Sequence, residues 1–456
     1  MKKAFYIAAS AALLLLIVVF AFWIIEKNNL TVPSMITSTL CTLIVGVLLV
    51  CFIEKLIDFW VSKEQVENKP LYRKDRLSLK HPWVKITVWM IISRLAVFLI
   101  AYFIYCVQRD YQGGIIDVFD DIWLRCDSPS YLGIAERWYV TEGDPMYHIV
   151  FFPFYPCLIK LFSFVIGDYF LSAMAVSFVT SILAANVLYE LIAIDYDRRT
   201  AMKTVLFTFM MPAALFFSAP MTESVFLLVS VTSLLFLRKK NYLLAGLFGA
   251  LAAFTRSVGA VLVVPIGIEA VRDIIEFVRL KKCGVKQVLP RALSLIIVPL
   301  GIVGYLIINE TVWGDPFKFL EIQQDHWNQS FGLFFNTVEY QTRYFIDYLN
   351  SDRVNAAFGL WFSNLFCIFA SLIVMIIGRK KMRVSYMGFF GAYFIIAIGV
   401  TWLLSAPRYM LVMFPIGLSL ATVTNTKLKE CVTACVLSVL ALLYLVAFVA
   451  GGFQIW

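Results

Sequence analysis

The sequence predicts an all-α polytopic membrane protein, and three observations carry that prediction. Hydrophobic residues make up 61% of the 456-residue chain and charged residues only 15%, with a mean hydropathy of +0.82. A soluble domain carries about 25% charged residues, so this composition cannot dress a water-facing surface. Apolar runs of roughly 20 residues recur along the length, each long enough as a helix to cross a hydrocarbon core of about 30 Å. The runs are unbroken, unlike the alternating segments of roughly ten residues that build a transmembrane barrel. A helix also satisfies its own backbone groups in lipid.

In chain order the spans are expected at 4–25, 34–60, 86–107, 168–192, 201–218, 224–237, 292–309, 354–377, 385–404, 409–424 and 431–451. The first run follows Lys2 and Lys3, as a secretion signal would. Phe20, Phe22 and Trp23 stand where small cleavage-site residues would be needed, so it reads as a retained span. Residues 150–166 are apolar but interrupted by Pro153 and Pro156, which predicts a re-entrant or interfacial segment. Between 242 and 270, two short apolar stretches flank Thr255-Arg256-Ser257, the pattern of a hairpin turning near one membrane face. Counting its arms gives about 13 segments, within a range of 11–14.

Charge sets an expected orientation. With the N-terminus in the cytoplasm, the inward-facing stretches hold 28 of the 39 lysines and arginines, as the positive-inside rule requires. The net charge of +9 is thereby explained as topology, and nucleic-acid binding is not expected. The two largest loops then face outward, at about 108–167 and 310–353. The chain divides into two additional N-terminal helices (1–60), a basic cytoplasmic linker (61–85), a membrane domain (86–425) and a C-terminal helix (426–456). Nine cysteines without paired spacing and three dispersed histidines (His81, His148 and His326) indicate neither a disulfide framework nor a metal centre.

Candidate chemistry lies on the outward side. Asp117, Asp120, Asp121 and Asp127 fall within 11 residues; for Asp117 and Asp120 a solvated loop is the simpler reading. Asp127 directly precedes an apolar segment with Leu132, Ile134 and Ala135. There a carboxylate can accept a proton from a hydroxyl. Glu223 opens the span after Pro220, Arg256 occupies the hairpin tip, and Arg408 lies between two spans. Ionisable groups at membrane depth are functional candidates. Two arginines can grip a phosphate through bidentate hydrogen bonds; the competing reading is an ion pair between helices, such as Arg256 with Glu223. Gln323, His326 and Trp327 stand in the second outer loop. Aromatic and amide groups there suit a sugar ring, although tryptophan also serves as an interfacial anchor.

Arg125-Cys126-Asp127-Ser128-Pro129-Ser130-Tyr131-Leu132-Gly133-Ile134-Ala135 resembles the RWDxxxYLxIA pattern of the PIG-V family, the GPI mannosyltransferase II group and its prokaryotic relatives. Phe151 to Pro156, Thr222 to Leu228, Ala245 to Gly259, Trp313 to Phe317, Gln323 with Trp327, and Ser405 to Tyr409 resemble further family motifs in the same order. The likeness covers about residues 86–425. Cys126 stands where the family usually has Trp, Ser257 where Pro is common, and two spans precede the usual first one.

The resemblance implies a GT-C-type glycosyltransferase fold with catalytic loops on the non-cytoplasmic face. It also implies a lipid-phosphate sugar as donor, with the essential aspartate mapping onto Asp127. The expected activity is transfer of a hexose, mannose, from a polyprenyl-phosphate-linked donor to a glycolipid or cell-envelope acceptor. Asp127 is the expected general base, Arg256 and Arg408 the phosphate ligands, and Arg125, Tyr131, Glu223, Gln323, His326 and Trp327 substrate contacts. No metal or other cofactor is expected; membrane lipids are partners and nucleic acid is not. The setting is a prokaryotic plasma membrane, or the ER membrane in a eukaryote. The alternative is a lipid-linked sugar flippase or secondary transporter. Transporters place ionisable residues near the midplane within related repeats, whereas here they gather at one face.

Overall fold

The computed structural model describes residues 2–27, 30–61 and 81–451. Residues 62–80, which make up most of the expected linker, and residues 452–456 lie outside this description. Helices occur in the order α1 (Lys2–Glu26), α2 (Val32–Val61), α3 (Pro82–Arg109), α4 (Phe119–Trp123), α5 (Ser128–Arg137), α6 (Phe154–Ile166) and α7 (Tyr169–Asp195). There follow α8 (Arg198–Phe209), α9 (Glu223–Arg238), α10 (Tyr242–Thr255), α11 (Val263–Arg279), α12 (Val285–Ile297), α13 (Leu300–Trp313) and α14 (Lys318–Trp327). The chain continues through α15 (Phe334–Leu349), α16 (Val354–Ala356), α17 (Ser363–Gly378), α18 (Val384–Ile398), α19 (Ala406–Leu411), α20 (Phe414–Val423) and α21 (Lys427–Ala450). The only β pairing among the described residues is an isolated bridge between Phe331 and Val400.

Among the described residues, seven helical spans are long and apolar enough to cross a membrane by length and composition: α1, α2, α3, α7, α12–α13 taken together, Val354–Lys381, and α21. An eighth candidate is the pair Asp144–Val150 and α6, bent by 114° where Pro153 and Pro156 interrupt the run. This fits the expected re-entrant segment. The larger expected count treats each short apolar helix as a full crossing. Two of the breaks, beside Pro212 and Pro415, fall where proline removes a backbone donor and disfavours helix in the residue before it. The expected span 201–218 ends at Phe209 and continues through Pro212 into a short 3-10 turn, Ala214–Phe217. The expected span 385–404 ends at Ile398, and 409–424 is split between α19 and α20.

These breaks free backbone carbonyls inside the bundle, and buried cations or amides meet them. Arg94 on α3 is buried and donates to the carbonyls of Ala214 (3.0 Å) and Phe209 (3.4 Å) and to Ser218 Oγ (3.2 Å). It caps the end of α8 and fixes the irregular stretch that leads to Glu223. Gln341 and Asn364 likewise donate to the Leu403 carbonyl, holding the extended segment before α19.

Small residues let the central helices approach closely. α7 buries Ser172, Ala173, Ser177, Ser181, Ala184 and Ala185 and packs on α9. A Cβ at Gly301 would collide with the carbonyl of Ala250 where α13 meets α10. α1 and α2 are docked along the bundle. Ser34 and Ser38 donate to carbonyls of α15, and at the other end of α2 the Trp60 indole donates to the Ile268 carbonyl.

Candidate active site

The turn before α5 is built from a buried tryptophan outward. Trp123 is fully buried, edge-on to Phe98 at 5.2 Å and tilted against Phe448 at 5.7 Å. The chain then reverses, with Cys126 in the left-handed region at φ 55°. That conformation is costly for a residue with a side chain and is often kept at functional sites. Asp127 follows as the N-cap residue of α5, yet its carboxylate caps no backbone N–H. It points instead to another helix, where Asp127 Oδ2 accepts from Arg408 Nη1 at 2.5 Å.

Arg408 is the centre of the arrangement. It is buried on α19, its Nε donates to Glu223 Oε1, and its Nη2 meets Met221 Sδ at 3.4 Å. Glu223 begins α9 and is fully buried. The same Oε1 accepts from Arg256 Nη1 at 3.3 Å. Arg256 stands where α10 ends, with its guanidinium 4.9 Å from the Tyr409 ring centroid. Two acids and two arginines from four helices thus form one neutral cluster. Burial alone would lower the pKa of Arg408, but the neighbouring Asp127 and Glu223 carboxylates raise it on balance. Arg256 shows the same contest, with Glu223 the leading attraction. Both arginines keep their charge.

The cluster is incompletely satisfied. Glu223 Oε2, Ser128 Oγ, Thr222 Oγ1 and Ser405 Oγ are buried without a hydrogen-bond partner. Each such atom costs roughly 1–3 kcal/mol of lost solvation. All four belong to the cluster residues or lie close to them in sequence, as expected of a place that receives a polar ligand.

Residues 126–304 match the family model described as mannosyltransferase (PIG-V). No curated protein matches the chain. The match supports a glycosyltransferase that moves mannosyl groups. The PIG-V-like stretch contains Asp127, Glu223 and Arg256, whereas Arg408 lies beyond its end and is brought in by the fold.

The other expected contacts separate into two groups around this PIG-V-like core. Tyr131 lies one turn along α5 from Asp127, buried against Phe151 and Tyr155 and within electrostatic reach of all four charges. Arg125 is used elsewhere: its guanidinium donates to the carbonyls of Phe448 (2.7 Å), Val449 (3.0 Å) and Asp121 (2.9 Å). It caps the C-terminal end of α21 and ties that helix to the turn before Asp127. Gln323 donates to Gln329, which in turn donates to the Trp402 carbonyl. His326 stacks on Tyr147 at 3.9 Å, and Trp327 packs edge-on to Phe151 at 6.1 Å. Since Phe151 also touches Tyr131, α14 reaches the cluster only through an aromatic relay.

Met221, Ser405, Tyr393 and Tyr409 went unassigned in the sequence. Tyr393 donates to the Tyr409 carbonyl at 2.8 Å behind Arg256. The only sequence signal for Ser405 and Tyr409 is their place in the motif around Arg408. Among the described residues, no group of three or more His, Cys, Asp or Glu side chains could hold a metal. Asp121 accepts from the Tyr105 hydroxyl at 3.2 Å.

Proposed function

We propose that this protein transfers mannose from a polyprenyl-phosphate carrier to a hydroxyl of a glycolipid or cell-envelope glycan, with inversion at the anomeric carbon. Asp127 takes the proton from the acceptor hydroxyl. The acceptor oxygen forms a bond to C1 from one face as the C1–O bond to phosphate breaks on the other. The electron pair of that bond leaves with the phosphate oxygen, giving polyprenyl phosphate.

Arg256 and Arg408 stabilise the charge that develops on the leaving phosphate. Among the described residues only Nη1 of Arg256 meets an acceptor, so Nε and Nη2 can bind the donor directly. Arg408 has both acids as partners, and a phosphate competes with Asp127 for its Nη1. Donor binding therefore draws Arg408 toward the phosphate and frees the Asp127 carboxylate for the acceptor. Glu223 keeps the two arginines together, and its second oxygen is left for a sugar hydroxyl. The lipid tail lies in apolar grooves between helices, and the active site faces away from the cytoplasm.

The observation that carries this reading is the Asp127–Arg408–Glu223–Arg256 cluster with its unsatisfied polar atoms, in a PIG-V-like segment. The test uses purified protein in lipid, radiolabelled polyprenyl-phosphate mannose and a crude envelope glycolipid extract, with wild type beside Asp127→Asn. Label is expected in glycolipid only with wild type, while donor binding and thermal stability of the variant are retained. Equal transfer by both proteins would remove Asp127 from its role. Redistribution of labelled donor across vesicles without any transfer would favour flipping.

A further inference from the structure

Two hollows of about 630 and 390 Å³ adjoin on the loops beyond α5, and Thr141 lines both. We propose that together they form a binding cleft for the glycan portion of the acceptor, at a distance from the Asp127 cluster. This rests on the transferase reading above, and it adds where the acceptor's distal sugars are held.

The first hollow is built around an exposed aromatic residue. Trp138 is 43% exposed although it follows directly on a packed helix. Its backbone has φ 65° and ψ −166°, a region that residues with side chains avoid and that persists where function holds it. The ring sits edge-on to Tyr139 at 5.0 Å, and the Tyr139 hydroxyl donates to the Phe151 carbonyl at 2.6 Å. The strained residue is thus braced against the same Phe151 that touches Tyr131. An exposed indole beside charged and hydroxyl groups offers a stacking face together with hydrogen-bond partners.

The charges favour a neutral polyhydroxyl ligand over an anion. Arg137 and Glu142 line the first hollow; Lys318, Glu321 and Asp325 line the second. Lys318 is already paired with Glu321 at 2.5 Å. Among the described residues the Glu142 and Asp325 carboxylates have no hydrogen-bond or ion-pair partner, which leaves them to accept from hydroxyls. The second hollow joins the two outer loops, through the stack of His326 on Tyr147. The geometry also sets a distance. Gly133 and Arg137 line the first hollow on α5. At the helical rise they stand roughly 9 and 15 Å along the chain axis from Asp127. That spacing suits a short oligosaccharide whose terminal hydroxyl lies at the base.

The test uses the full chain in lipid nanodiscs. Saturation-transfer NMR is recorded with mannotriose and with oligosaccharides released from the envelope glycolipid extract. Signals are expected with wild type and with Asp127→Asn, and are lost in Trp138→Ala and in Thr141→Trp, which fills the junction. In the transfer assay Trp138→Ala is expected to raise the half-saturating glycolipid concentration about tenfold, with the saturating rate and the half-saturating donor concentration unchanged. Signals that persist in both cleft variants, or that are absent from wild type with every probe, would overturn the cleft. So would a fall in the saturating rate alone. Wild-type protein that moves no label to any acceptor instead sinks the transferase reading while leaving the NMR result standing, so the two failures are distinguishable.

Discussion

Two buried charge clusters occupy opposite ends of the helical bundle, and they differ in how fully their carboxylates are satisfied. At one end Asp195, Glu269 and Asp273 meet Arg238, Lys240, Arg291 and Arg383. Every carboxylate oxygen there has a partner, and the orphan is a donor, Arg291 Nε. Arg238 grips Asp195 at 2.7 and 3.0 Å, Arg383 grips Glu269 at 2.8 and 3.0 Å, and the Tyr386 and Tyr242 hydroxyls take remaining positions on Asp195 and Asp273. These residues come from α7, α9, α10, α11 and α12 and from the start of α18, so the cluster staples six helices. At the other end, among the described residues, Glu223 Oε2 is buried without a partner and the one hydrogen bond that Asp127 accepts from a side chain falls on Oδ2. A closed network holds helices in register; an open one leaves polar atoms for something that arrives and departs.

The comparison breaks most sharply at Asp127. Asp127→Asn preserves shape and removes the proton acceptor, so transfer should fall by about 10²–10⁴, while Glu269→Gln should leave the rate per folded molecule unchanged. Glycolipid labelling, normalised to folded protein by size-exclusion chromatography, measures both. A Glu269→Gln protein that is folded yet inactive would erase the distinction between the ends. Arg256→Gln should follow, with a loss of about 10²–10³ in rate and weaker donor binding, because Arg256 is the arginine with donors to spare. An unchanged affinity for polyprenyl-phosphate mannose would return Arg256 to the role of an interhelical tie.

Arg383→Met tests the closed cluster in its own terms. It strips Glu269 of its bidentate hydrogen-bonded partner, leaving Arg238 and Lys240 at 3.8 and 3.7 Å, and Asp195 of a further one. Leaving buried carboxylates short of cations costs about 3–5 kcal/mol. Thermal unfolding in detergent should show a large drop in Tm, and the surviving folded fraction should retain wild-type half-saturating concentrations. Loss of donor affinity without loss of stability would show that the closed end also serves the reaction.

The two ends were unequally legible in the sequence. Asp127, Glu223, Arg256 and Arg408 each stand beside a proline or at a helix break, where an ionisable residue in an apolar context is conspicuous. The Arg256–Glu223 pair was among the readings of the sequence and is present; that Asp127 and Arg408 join it was not readable, because it depends on the rotation of α5, α9 and α19 about their axes. The closed cluster was hidden by the opposite cause. Arg238, Lys240, Arg291 and Arg383 read as ordinary basic loop charges, and nothing local showed that Asp195, Glu269 and Asp273 turn inward to meet them. Helix breaks followed the same logic: Pro212 and Pro415 are visible, but only the structure shows that Arg94 takes up carbonyls around the first break.

The smallest expected effect lies at a third acid. Lys27 Nζ stands 3.3 Å from Glu339 Oε2, with the lysine 37% exposed and the glutamate 2%. The exposed partner is screened by solvent, which limits such a pair to about 1 kcal/mol or less. Glu339 would still keep Arg343, whose Nε stands 3.3 Å from Oε1, so Lys27→Ala leaves no carboxylate without a cation. Its Tm should shift by far less than that of Arg383→Met, with transfer unaltered. The contrast isolates the physical cause: what destabilises is a buried carboxylate stripped of its hydrogen-bonded cation, with only the longer contacts of Arg238 and Lys240 left to Glu269, rather than the loss of an ion pair as such. If Lys27→Ala proves as damaging as Arg383→Met, then the docking of α1 and α2 on α15 depends on that contact, and redundancy of partners is the wrong measure of a closed network.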